Sequence, residues 1–164
     1  MPQRPAGDSA HALPDDHHAA MQRGFRWRVP ARMNIAELCS RRWARGDDAS
    51  KRIAVIAHQP GAGGQNHSYA ELQASADRLS HALVRLGVVR GDRVAIVMPQ
   101  RFETAVAYIA VLQLGAIAMP LSQLFGPEAL EYRINDAGAL AAICDEASME
   151  ALLSVRGSCP TLAV

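Results

Sequence analysis

Apolar positions along the chain follow two periods. Over residues 69–86, Tyr69, Leu72, Ala76, Leu79, Leu83 and Leu86 recur at steps of three or four, the spacing of one apolar stripe on a helix. Ser68 and Glu71 stand three apart at its start, a capping box in which side chain and backbone satisfy each other's free donors. Gly87 stops it. Residues 94–98 are instead an unbroken apolar run after the turn pair Gly91-Asp92, the pattern of a strand buried on both faces.

The alternation of helix and strand continues downstream. The spacing predicts a helix over 102–114 ended by Gly115, a strand over 116–121 and a strand over 140–144. Between the strands, Pro127 opens a helix with Glu128 and Glu131 behind it, and Gly138 closes it after Ala137. A short helix over 146–154 and a strand beginning at Thr161 complete the series. Strands separated by single helices are the rhythm of a parallel sheet. Upstream, Asn34 with Glu37 caps a helix from Ile35 that carries Leu38 and Trp43 and stops at Gly46. Residues 52–57 read as a strand, 60–66 as a flexible glycine-rich turn, and His67-Ser68-Tyr69 as the returning arm of a hairpin. The first 33 residues hold Pro, Gly, His and polar residues without a period. The expected organisation is a flexible arm, 1–33, ahead of an α/β body, 34–164. That body is a partial parallel sheet of βα units with an N-terminal helix and hairpin.

Composition narrows the reading. With 49% hydrophobic and 20% charged residues, the chain is too apolar and too weakly charged to be disordered. A net charge of +1 argues against nucleic acid as a partner, which calls for a clear basic surplus. Alanine is abundant and aromatic residues make up 5%, so the core is expected to be aliphatic and closely packed. The arm lacks the apolar stretch of a secretory signal, and Asp15-Asp16 counts against a mitochondrial presequence. Met21 is an alternative start. Residues 104–127 carry no formal charge and are long enough to span a bilayer. Gly115 and Pro120 interrupt the run and Gln113, Ser122 and Gln123 dilute it, so it reads as a buried helix followed by a buried strand. No membrane span and a cytoplasmic location are expected.

Candidate chemistry is sparse. Gly61-Ala62-Gly63-Gly64 is the one glycine cluster, and neither a lysine nor a helix start follows it, so a turn accounts for it better than a phosphate cradle. His17 and His18 fall in the arm, His58 and His67 flank the glycine turn and are placed to meet across the hairpin, and His81 lies one turn from Asp77. No third ligand is evident for a metal. Cys39, Cys144 and Cys159 are scattered, odd in number and without metal-binding spacing, which points to free thiols in a reducing compartment. Asp92 and Asp145 sit at a turn and a strand end, where catalytic groups of α/β folds sit, yet turn chemistry explains both.

Two stretches are more specific than their composition: His67-Ser68-Tyr69-Ala70-Glu71-Leu72, and Leu112-Gln113-Leu114-Gly115-Ala116-Ile117-Ala118-Met119-Pro120-Leu121. They resemble the first two blocks of the adenylate-forming superfamily, the AMP-dependent synthetases and ligases. Between them Gly91-Asp92-Arg93-Val94-Ala95-Ile96, and after them Phe125-Gly126-Pro127-Glu128-Ala129-Leu130-Glu131-Tyr132-Arg133, resemble family segments in the same order. Trp27, Pro30, Asn34-Ile35-Ala36-Glu37 and Trp43-Ala44 look like the leading segment of the acetyl- and medium-chain acyl-CoA synthetase branch. The resemblance covers about residues 25–164.

The resemblance implies the N-terminal part of the large domain of an enzyme that joins a carboxylic acid to coenzyme A through an acyl-adenylate. ATP, Mg2+ and coenzyme A are implied for the full-length family and none for this chain alone. Such enzymes stabilise phosphate charge with preorganised cations and backbone donors, set on a Ser/Thr/Gly-rich loop ending in Pro-Lys. That loop has no counterpart here, and the single lysine, Lys51, precedes both matching blocks. No catalytic, cofactor-binding or metal residue is therefore assigned. The expectation is a scaffold fragment, from a partial gene, a shifted frame or a split subunit, inactive alone. Its partner would be a complementing chain or the remainder of the synthetase. The alternatives are a non-catalytic module docking through sheet edges and a small flavodoxin-like nucleotide binder.

Overall fold

A computed structural model of the chain describes residues 17–59, 63–155 and 160–164. The chain divides into two compact units, Met1–Arg32 and Met33–Val164. In the first, helix α1 (His17–Gly24) arises where the apolar pattern marks no element, and residues 25–30 that follow have no regular structure.

The second unit opens with a π-helical turn, Glu37–Arg41, continued by α2 (Arg42–Ala44). Asn34 caps this segment as expected: its Oδ1 accepts from the backbone N–H of Ala36 at 2.9 Å and of Glu37 at 3.3 Å. Glu37 does not close the box. Its carboxylate is drawn to Arg45 at 2.7 Å and Arg41 at 3.9 Å, charges one and two turns along that outcompete a single backbone donor. The hairpin follows as β1 (Ile53–Gln59) and β2 (Gly63–Ser68), paired antiparallel. The glycine turn is shorter than the sequence implies, because Gly63 to Asn66 pair with β1 as strand although none is a β-former. The tip, residues 60–62, lies outside the described residues.

Helix α3 (Tyr69–Arg85) starts on the predicted box. The Ser68 hydroxyl accepts from the Glu71 N–H at 3.2 Å, and the Glu71 carboxylate accepts from the Ser68 N–H at 2.7 Å. Then come β3 (Arg93–Val97), α4 (Phe102–Gln113), β4 (Ile117–Leu121), α5 (Pro127–Ala137), β5 (Ala141–Cys144), α6 (Glu146–Leu153) and β6 (Thr161–Ala163). Gly115 has φ +72°, so the turn from α4 to β4 favours glycine, and a Cβ there would stand 3.1 Å from Arg90 Cγ, which would have to shift slightly. Gly138, at φ +58°, closes α5, and the Arg93 guanidinium covers that helix end through the carbonyls of Ala137 and Gly138 at 2.8 and 2.9 Å.

The four later strands form one parallel sheet in the order β4-β3-β5-β6. β3 is central, with Val94 opposite Ala118 on one side and Ala141 on the other. Its alternate residues feed two cores. Val94, Ile96 and Met98, with Ala141 and Ile143, pack on α3 and α4 through Leu79, Leu83, Val106, Ala107 and Ala110. Ala95, Val97, Ala142 and Cys144 pack on Leu130, Ile134, Leu152 and Val155. The expected strand buried on both faces is present, and the molecule is the predicted α/β sheet of βα units. Residues 104–127 divide into α4, the Gly115 turn and β4; β4 is not the buried strand expected, because it stands at the edge of the sheet with Ile117 and Pro120 exposed, and among the described residues no helix is long and apolar enough to cross a membrane.

Candidate functional site

In open α/β sheets ligands gather at the carboxyl ends of strands where the chain leaves neighbouring strands in opposite directions. Here that place is between β3 and β5, since α4 covers one face of the sheet and α6 the other. The rim is formed by residues 98–101 after β3 and 145–146 after β5. Arg101 stands in it: its Nε donates to Glu103 at 2.6 Å and its Nη1 lies 3.8 Å from Glu146. The hydrogen-bonded Glu103 carboxylate raises the Arg101 guanidinium further above its ordinary value, and the Arg101 bond holds Glu103 below the usual carboxylate range. The cation is thus matched by carboxylates of this chain. A cleft of about 350 Å³ beside it is lined by Val55, Ala57 and His58 of β1 and by Gln100, Thr104 and Tyr108.

The other candidates resolve into scaffold roles. Asp145 is buried and caps α6, its Oδ1 accepting from the Ser148 N–H at 3.0 Å. Asp92 accepts from the Val89 N–H at 2.8 Å and holds the turn before β3. Burial, then the Asp145 carboxylate, pushes the Cys144 thiol up to about 11, leaving it protonated and a poor nucleophile near neutral pH. Cys39 is exposed on the π-helical turn, and Cys159 lies outside the described residues. His58 and His67 do not meet: Gly64 faces His58 and Val55 faces His67, because three residues, an odd number, separate each from a direct pairing. The His67 ring stacks instead on Phe102, centroids 3.8 Å apart and planes 10° from parallel, which fastens the hairpin to the first turn of α4. Asp77 is taken up by other partners than His81. Among the described residues no group of three or more His, Cys, Asp or Glu could hold a metal ion. Gly63 and Gly64 belong to a strand and do not open a helix, so they form no phosphate cradle; Gly61 and Ala62 lie outside the described residues. The exposed Lys51 precedes β1.

One polar cluster escapes the sequence reading. Asp77 Oδ1 accepts from Arg41 at 2.8 Å, Gln73 at 2.9 Å and Gln113 at 3.1 Å. The Gln113 amide also accepts from Arg41 and Gln73 and donates to Ser80 Oγ. Asn34 adds a bond from its Nδ2 to the Leu112 carbonyl at 3.0 Å. The cluster joins the π-helical turn, α3 and α4 at one point. Its signal was Gln113 itself, a long polar side chain inside an otherwise apolar helical run.

The arrangement is therefore a framework whose charged groups pair with one another, while Gln73 Oε1, Ser40 Oγ and Ser148 Oγ are buried without a hydrogen-bond partner. The description "AMP-binding enzyme" matches residues 41–164. An acetyl-coenzyme A synthetase from Streptomyces coelicolor is 35% identical over 116 residues, 70% of this chain and 17% of that protein. One from Escherichia coli strain K12 is 32% identical over 132 residues, 80% of this chain and 20% of the other. The solved acyl-CoA synthetase of Brucella canis superposes with a TM-score of 0.73 at 25% identity, covering 91% of this chain and 27% of that one. A benzoate CoA ligase from Burkholderia xenovorans shares the fold, with a TM-score of 0.67 at 21% identity. The chain spans about a fifth of the length of the curated relatives it matches. The chain belongs to the family of AMP-binding enzymes.

Proposed function

We propose that residues 34–164 form the N-terminal scaffold of an AMP-forming acyl-CoA synthetase. The complete enzyme makes an acyl-CoA from a carboxylic acid, ATP and coenzyme A through an acyl-adenylate, in the cytoplasm and in fatty acid metabolism. The match of residues 41–164 to the family, together with acetyl-coenzyme A synthetase relatives at up to 35% identity, is the observation that carries this reading.

The contribution of this stretch is mechanical. Adenylation needs cations and backbone donors held rigidly around a triphosphate. Arg101 is matched by Glu103 and Glu146, and among the described residues no group of three or more His, Cys, Asp or Glu could hold a metal ion. The sheet and its two helical layers fix the position of whatever loops complete the site. Residues 1–164 alone accordingly carry no adenylating activity. Purified chain is assayed for carboxylate-dependent exchange of pyrophosphate into ATP: turnover no higher than a mock preparation is expected, and clear turnover, or tight and specific retention of ATP, overturns the reading. A second reading, a non-catalytic module that docks on a partner chain, is favoured by β4 and β6, which stand at the two ends of the described sheet. It predicts a discrete complex in size-exclusion chromatography where the scaffold reading alone predicts none.

A further inference from the structure

We draw no further inference here: the strongest candidate, the apolar groove between α3, α4 and the end of β6 lined by Leu79, Phe102, Val106 and Val164, lies on a chain that covers 27% of the solved synthetase it superposes on, and nothing in the structure shows what covers it.

Discussion

At the scale of single residues, the reciprocal pair Ser68 and Glu71 shows how two side chains set the start of a seventeen-residue helix. Replacing Ser68 by Ala should cost about 1 kcal/mol of stability, the usual worth of such a cap, and a urea titration reads it as a lower midpoint at unchanged slope. The pair also fixes a pH dependence. The Glu71 carboxylate is held below its usual range chiefly by the Ser68 backbone N–H and then by its hydroxyl. A depressed pKa in the folded state contributes stability that is present above the unfolded pKa and lost as pH falls through the folded one. Unfolding midpoints followed from neutral pH into the acid range should therefore fall less steeply in Glu71→Gln than in the native chain. Parallel curves would show that Glu71 has no part in that slope. Ser68, Glu71, Pro127 and Gly138 were legible in the sequence because each acts on its immediate neighbours. Gln113 was not: a lone amide in an apolar helix looks like dilution until its partners, thirty or more residues away, are in place.

At the scale of elements, that amide becomes a joint. Asp77 gathers donors from Arg41, Gln73 and Gln113, and Ser80 is within the same cluster on α3. Gln113→Leu removes two donors and an acceptor at once and leaves Asp77 and Gln73 short of partners. We expect a loss of about 2 kcal/mol, since a stranded polar group costs more than the bond it made. Gln113→Leu combined with Asp77→Leu should lose less than the sum of the two single variants; an additive result would mean the cluster does not act as a unit. Helix and strand positions were read closely from period and caps. The hairpin was read short because Gly63, Gly64, Gln65 and Asn66 join β1 through backbone bonds that their composition does not advertise. The helix from Ile35 was read, but its π-helical form was not, and α1 escaped because it carries no apolar period.

At the scale of the whole molecule, the order β4-β3-β5-β6 lies beyond periodicity. Continuous apolar runs show that β3 and β5 are central without showing which strand adjoins which, since every buried parallel strand satisfies the same pattern. The family resemblance conveyed more, because it rests on segments in a fixed order. Burial does distinguish centre from edge: β3 and β5 are almost wholly buried, whereas Ile117 and Pro120 of β4 are exposed. Hydrogen exchange should reflect this, with the amides of β3 and β5 the slowest in the chain and those of β4 and β6 markedly faster. Equal rates across the four strands would contradict the sheet order.

The central position of β3 also has a consequence for the ribosome. As the chain is made, β3 can take β4 on one flank once Leu121 is clear, but its other flank waits for Cys144. At ordinary synthesis rates that is an interval of roughly one to five seconds. During that time one edge of a central, buried strand has no neighbour. A nascent chain of this design therefore offers chaperones a defined window, opened and closed by the arrival of a single strand.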